Sequence, residues 1–173
     1  MSEENIVKQL EAIKSEGNKN NGNKHLYFGG PWFNDVQFDM YKKAYKAVLQ
    51  NPTLSYIHVP IMNQAEGLSP FLGDEVNMDW AQLTFKADET AMENSDVMIA
   101  LYDADYPDDG TIWETAYMYA NHKPVVFVTQ GDLLKKPVNL MPAMSATDWI
   151  SVDDLSTYDF NLIMPHFYKG GVI

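Results

Sequence analysis

The chain has 173 residues, 46% hydrophobic and 13% aromatic, and a formal net charge of -12. That is apolar material enough for one packed domain, with or without a tail, and the charge argues against a nucleic-acid partner. There is no cysteine, which excludes disulfides and cysteine-based metal sites, and every basic residue is lysine. Bidentate recognition of phosphate usually recruits arginine, so an uncharged ligand is favoured over a nucleotide. No apolar run is long enough for a membrane span, and no charged-then-apolar leader opens the sequence. A cytoplasmic protein away from the membrane is expected.

Residues 2–16 carry Ile6, Val7, Leu10 and Ile13 at helical spacing, and residues 17–24 are rich in Gly and Asn. Residues 1–24 are therefore expected to be an extension, flexible or a short helix, outside a domain spanning 25–173. Residues 25–29 read as a strand that ends in Gly29-Gly30-Pro31-Trp32-Phe33. Paired glycines let the backbone approach a ligand closely. Trp32 and Phe33 either face that ligand or plug the core, the commoner use of such a pair. Residues 36–50 form an amphipathic helix with Phe38, Tyr41, Ala44, Tyr45 and Val48 inward, stopped by Asn51-Pro52.

Residues 54–60 read as a second strand. Residues 61–78, with Gly67, Pro70 and Gly73, read as a long loop that could serve as a lid or binding loop. Asn63 and Gln64 stand at its start, offering hydrogen bonds or ordinary loop polarity. Residues 79–94 form a helix with Trp80, Leu83, Thr84, Ala87, Ala91 and Met92 on its inner side. Asp88 lies at the edge of that stripe, as either a paired core group or a site residue.

Residues 96–102 are a third, apolar strand. It runs into Asp103, Asp105, Asp108, Asp109-Gly110 and then a helix through Ala120 that contains Glu114. Ligands of open α/β sheets bind at the carboxyl ends of strands. An Asp-rich turn is commonly only a solvated loop. Glu114, however, is a lone charge in an apolar helix start, which is costly unless used. Asp103, Asp105 and Glu114 match the first, third and last ligands of a calcium loop, but Pro107 takes its fifth position and Asp108 stands where the turn glycine belongs. No metal and no cofactor is expected. A fourth strand follows at 125–128, a loop at 131–137, the segment Asn139-Leu140-Met141, and a fifth strand at 148–152. The apolar, aromatic tail 160–173 is expected to dock on its own body or on a neighbour.

Alternating strands and helices, with continuous apolar third and fourth strands, indicate an α/β fold. The expected form is a flavodoxin-like, doubly wound, five-stranded parallel sheet in the order 2-1-3-4-5, with helices on both faces. Its switch point would bring the Gly29–Phe33 loop opposite the acidic stretch 103–114. Aromatic faces opposite carboxylates suit a neutral ring carrying a sugar.

These residues resemble the nucleoside 2-deoxyribosyltransferase family from about Leu26 onward. The resemblance rests on Tyr27-Phe28-Gly29-Gly30-Pro31-Trp32-Phe33, on Asn63-Gln64, and on Trp80-Ala81 leading to Asp88. It continues in Asp108-Asp109-Gly110 with Glu114, and in Asn139-Leu140-Met141. It implies transfer of 2-deoxyribose between nucleobases, with 2'-deoxynucleosides and free bases as partners. Glu114 would be the nucleophile, Tyr27 would orient it, and Asp88 and Asp108 would serve the base. Gly29, Trp32, Phe33 and Gln64 would line the substrate pocket. Asn139, Met141 and the carboxylate of Ile173 would come from a neighbouring subunit of a homo-oligomer, a hexamer or a dimer. Trp113 and Thr115 flank Glu114 where relatives tend to carry smaller residues, which implies a tighter or shifted pocket. Ile173 also replaces a frequent terminal tyrosine. Two other readings are a hydrolase of 2'-deoxynucleoside 5'-phosphates, disfavoured by the missing arginine, and a silent nucleoside-binding module, disfavoured by the intact carboxylates.

Overall fold

Residues 2–131 and 136–173 are described by the structure, a computed structural model. The chain runs through α1 (Glu3–Ser15), β1 (Lys24–Gly29), α2 (Asp35–Leu49) and β2 (Leu54–His58), then a 3-10 turn at Pro60–Met62. The strands β3 (Phe71–Leu72) and β4 (Glu75–Val76) precede α3 (Met78–Asn94), β5 (Val97–Leu101) and α4 (Asp109–Ala120). Last come β6 (Val125–Thr129), α5 (Leu140–Ser145) and β7 (Asp148–Ser151). The loop expected at 131–137 falls mostly outside the described residues.

The main sheet is parallel throughout, in the order β2-β1-β5-β6-β7. Counting its five strands in sequence, this is the expected order 2-1-3-4-5. Alternation along the strands splits the core in two. Leu26, Phe28, Val97, Ile99 and Leu101 pack with α1, α2 and Phe160 of the tail. Tyr27, Met98, Ala100 and Phe127 pack on the other face with Met92 of α3, Met118 of α4 and Ala143 of α5. The helices therefore cover both faces, and Tyr27 belongs to the face where α3 and α4 lie.

Each helix that follows a sheet strand starts on an Asn or Asp whose side chain accepts a hydrogen bond from the first turn. Asn34 caps α2, Asn77 caps α3, Asp108 caps α4 and Asn139 caps α5. Such caps satisfy donors that have no partner inside the helix, and each typically contributes about 1 kcal/mol. Asn51, wholly buried, staples the end of α2 to the tail. Its Nδ2 donates to the carbonyls of Leu155 and Tyr158, and its Oδ1 accepts from Thr53.

Three sequence expectations change. First, α1 is a short helix but does not stand outside the core. Ile6 and Leu10 are buried, and Val7 and Ile13 pack against the same cluster. The following segment is tied down as well, since Asn20 Nδ2 donates to the carbonyls of Val48 and Asn51. Four apolar residues on one helical face need a partner surface, and α2 supplies it. Second, 61–78 is not one irregular loop. The second strand stops at His58 because Pro60 opens a 3-10 turn, and β3 and β4 pair antiparallel around Gly73, which takes a positive φ of 65°. Third, Leu83 is exposed and Met92 is the one fully buried residue of α3. Only the C-terminal part of α3 lies on the sheet; Met78, Leu83 and Phe85 face outward.

If α1 is integral, Leu10→Ala should lower unfolding free energy by about 2–4 kcal/mol. Glu11→Ala, on its exposed side, should change it by less than about 0.5 kcal/mol. Urea unfolding of the two variants checks this; equal midpoints would return α1 to the status of an appendage.

Candidate active site

Glu114 lies in the second turn of α4, and its Oε1 accepts a 2.7 Å hydrogen bond from the Tyr27 hydroxyl. Tyr27 is buried on β1, two residues before the strand's end. Gly29 ends that strand on the same face. A Cβ at Gly29 would sit 2.4 Å from Met98 Cε and 2.9 Å from Glu114 Oε2. Only glycine leaves room there for the carboxylate. The three residues thus form one arrangement: a carboxylate dropped from α4 onto the end of β1, held from one side by a phenol and accommodated on the other by a missing side chain.

The electrostatics follow from this enclosure. Burial, together with the charges of Asp88 and Asp108, pushes Glu114 from 4.5 up to about 8, while the Tyr27 hydrogen bond pulls it down. Tyr27 is itself raised far above its ordinary value, first by burial and then by the charges of Glu114 and Asp88. Its proton therefore stays on the phenol, which remains a donor. Glu114 retains some surface because it lines a cavity of about 150 Å³, shared with Gly30, Trp32, Phe33, Pro60, Asp108, Gly110 and Thr111. This is where the aromatic loop after β1 meets the acidic loop after β5, as expected at the switch point.

Asp108 does double duty. Its Oδ2 accepts from the backbone N and the hydroxyl of Thr111, both at 2.7 Å, which fixes the start of α4. Its Oδ1 has no partner among the described residues. Asp88, half-buried on α3, is held through Oδ1 by His58 Nε2 at 3.0 Å. His58 is 6% exposed and stacks on Tyr27, with ring centroids 5.4 Å apart and planes at 15°. The stacking follows from the sheet register, which pairs Tyr27 with His58 across β1 and β2. Sequence reading passed over His58. The available signal was an ionisable residue at the carboxyl end of a strand; its partner Asp88 is thirty residues away and visible only in three dimensions.

The remaining candidates divide. Trp32 packs edge-on against Tyr41 at 5.6 Å, serving as wall and plug together, while Phe33 is 66% exposed at the cavity rim. Gln64 is half-buried beyond the 3-10 turn and does not line the Glu114 cavity. Asn63 braces that turn, its Oδ1 accepting from Val59 N. Asn139 caps α5 and Met141 is 72% exposed; neither lines this chain's Glu114 cavity. The chain end is stitched to the same spot, since Leu140 N donates to the Ile173 carbonyl and Ile173 N to the Val138 carbonyl. Asn139, Met141 and Ile173 thus form one exposed patch, and the tail docks at least partly on its own body. Trp113 does not narrow the pocket. It stacks on Tyr117 and leans on Phe85 at the outer surface, while the Thr115 hydroxyl bonds back to the Ile112 carbonyl.

The larger cavity nearby, about 340 Å³, lies between α2 and the loop after β5. Several of its polar groups are already engaged: Gln37 with Asp103 and Tyr106, Asp105 with Lys136. Among the described residues no group of three or more His, Asp or Glu could hold a metal ion. The chemistry the Glu114 cavity offers is that of a nucleophilic or basic carboxylate beside Asp108, with Asp88 near enough to act on its charge although it does not line the cavity.

Because Glu114 is raised on folding, its burial costs nothing below about pH 4.5 and costs progressively more as pH rises to about 8. Glu114→Gln should therefore raise the melting temperature, by little near pH 4.5, by a growing margin up to about pH 8, and by a constant margin above it. Melting curves across that range check this; a gain that shrinks with pH would contradict it.

Against known proteins, the pattern of the nucleoside 2-deoxyribosyltransferase family matches residues 26–141. The nucleoside deoxyribosyltransferase of Lactobacillus leichmannii is 33% identical over 156 residues, covering 86% of this chain and 98% of that protein. That of Lactobacillus johnsonii is 33% identical over 148 residues, covering 82% and 97%. A solved structure of a 2-deoxyribosyltransferase from Bacillus psychrosaccharolyticus superposes with a TM-score of 0.69 at 24% identity, covering 83% of this chain and 98% of that one, which shows the shared fold. The chain, with its carboxylate cavity at the switch point of a parallel sheet, belongs to the nucleoside 2-deoxyribosyltransferase family of enzymes.

Proposed function

We propose that the protein transfers 2-deoxyribose between nucleobases by double displacement through a covalent deoxyribosyl ester of Glu114. The observation that carries this reading is the Glu114 carboxylate, set into a small cavity and held in place by the Tyr27 hydroxyl. Glu114 attacks the anomeric carbon as the bond to the base nitrogen breaks. Asp88 and Asp108 serve the departing base, which leaves with a proton. A second base then attacks the same carbon, returns a proton, and releases Glu114. Two inversions retain configuration. The carboxylate is most reactive when ionised, and the Tyr27 hydrogen bond favours that form. Deoxyribose lacks the 2'-hydroxyl that would disfavour positive charge at the anomeric carbon, so one carboxylate suffices.

A cavity of about 150 Å³ is smaller than the ~300–1,000 Å³ usual for ligand sites. It is too small to enclose a nucleoside. We read the Asn139–Met141–Ile173 patch as the missing wall, supplied by a neighbouring chain to the sugar. Exposed Leu83, Phe85, Trp113, Leu140, Met141 and Met144 provide apolar surface for that neighbour. The assembly would be a homohexamer or a dimer, acting in the cytoplasm in nucleoside salvage. In this reading Phe33 and Trp32 stack on the base, Gln64 bonds its edge, and residues 1–24 are an addition packed onto the core of the transferase domain 25–173.

Incubation with deoxyinosine and adenine should yield deoxyadenosine, which separates the reading from both hydrolysis and silent binding. Glu114→Ala should lower transfer by at least about a thousandfold with the fold intact; near-normal turnover would remove Glu114 as nucleophile. Adenosine should be a poor donor beside deoxyadenosine.

Mixing tests the shared site. Asn139→Ala and Glu114→Ala proteins, each inactive alone, should recover up to about a quarter of wild-type activity after subunit exchange at equal ratio. No recovery despite demonstrated exchange would place Asn139 outside the site.

A further inference from the structure

We infer that His58 is a positioning residue for the transfer: it fixes the Asp88 carboxylate toward the base and keeps on that side of the site the proton that the departing base needs. This rests on the reading above, in which Asp88 serves the base, and it assigns a role to a residue outside that reading's machinery.

The geometry has three parts. His58 ends β2 at the sheet edge, and its Nε2 lies 3.0 Å from Asp88 Oδ1, leaving Oδ2 of Asp88 available. The ring is stacked on Tyr27, whose hydroxyl holds Glu114, so it cannot tilt without disturbing the nucleophile's support. His58 also lines an open cleft of about 550 Å³ between β2 and α3, which Asp88 does not line. The imidazole therefore connects the carboxylate to solvent from behind, by a route that a bound base would not block.

The groups around the imidazole determine what its proton does. Asp88 faces it from α3, and Tyr27, with Glu114 beyond, faces it from β1 and α4. Glu114 in turn feels Asp108. His25, Tyr56 and Lys86 border the outer cleft, where Lys86 is paired with Glu89. Around Tyr27 the near charges are thus three carboxylates. One proton shared among them can sit on Glu114, which silences the nucleophile, or on the His58–Asp88 pair, which arms the acid. An imidazole beside Asp88 favours the second placement, because the imidazolium–carboxylate pair neutralises the Asp88 charge that otherwise opposes ionisation of Glu114. In the first displacement the bond from the anomeric carbon to the base nitrogen breaks. That nitrogen takes the proton from the Asp88 side, and His58 and Asp88 remain as neutral imidazole and carboxylate. In the second, the incoming base returns a proton to the pair as its nitrogen bonds to carbon and the Glu114 ester breaks. No proton is gained or lost overall.

The test compares wild type with His58→Gln, whose amide can still donate to Asp88 but cannot carry the proton. Two donors are used. Deoxyinosine needs protonation of its base; 7-methyl-2'-deoxyadenosine, a fixed cation with no ring N–H to lose, carries a base that leaves neutral without it. With deoxyinosine and adenine at pH 7.5, His58→Gln should lose about a hundredfold in kcat with little change in KM. The basic limb of its kcat profile should move to lower pH, because the amide cannot hold the proton beside Asp88. With the methylated donor at pH 8.5 it should stay within about threefold of wild type, which shows that the site is folded. Equal losses with both donors would make His58 merely structural, and superimposed pH profiles would remove it from the proton path; either result overturns the inference while leaving the transferase reading intact. A wild-type protein that forms no deoxyadenosine would overturn the transferase reading first and this inference with it.

Discussion

The hydrogen bond from Tyr27 to Glu114 is the interaction on which the rest depends. A carboxylate largely enclosed by protein is unfavourable as an ion. What keeps it usable is a phenol that is more buried still and cannot release its proton. The parallel sheet puts Tyr27 at the carboxyl end of β1, facing α4. Gly29, two residues on and on the same face, leaves the space the carboxylate occupies. A side chain at position 29 or a shift of α4 by a fraction of a turn would end the contact. Much of the architecture can be read as what holds those two elements at that spacing.

Several groups do structural and chemical work at once. Asp108 begins α4 with one oxygen and leaves the other free beside Glu114. Asn139 begins α5, and the chain terminus is hydrogen-bonded alongside it. Side chains held by a helix cap have little rotational freedom, so a cap placed at a site is already ordered before substrate arrives. The same economy has a stability cost. Three carboxylates near one point repel one another, and they persist because the hydrophobic clusters on both faces of the sheet outweigh that repulsion.

The outer surface of α3, α4 and α5 is unusually apolar. Phe85, Trp113 and Tyr117 form a run of ring contacts there, and Met141 and Met144 extend the surface. α3 contributes one fully buried residue to the core although its sequence carries an apolar stripe. An amphipathic helix normally shows its stripe to its own domain. Here much of the stripe remains uncovered by the chain itself, on the side where Asp88 is held.

The sequence by itself determined the order of elements, the parallel sheet, and the meeting of the Gly29–Phe33 loop with the 103–114 stretch, because apolar runs, helix caps and strand-end glycines are local signals. It also singled out Glu114, since a charge in an apolar helix start is conspicuous at short range. Other features depended on tertiary contacts. The packing of α1 needed the surface of α2, and the exposure of Leu83 depended on where α3 overhangs the sheet. The small hairpin of β3 and β4 consists of pairs too short to show a period. Most of all, His58 became meaningful only through strand register, which lays its ring on Tyr27, and through the helix that brings Asp88 to it from thirty residues away. Local pattern can propose an ionisable group, but its partner, its burial and its chemistry are set by which distant segments the fold brings against it.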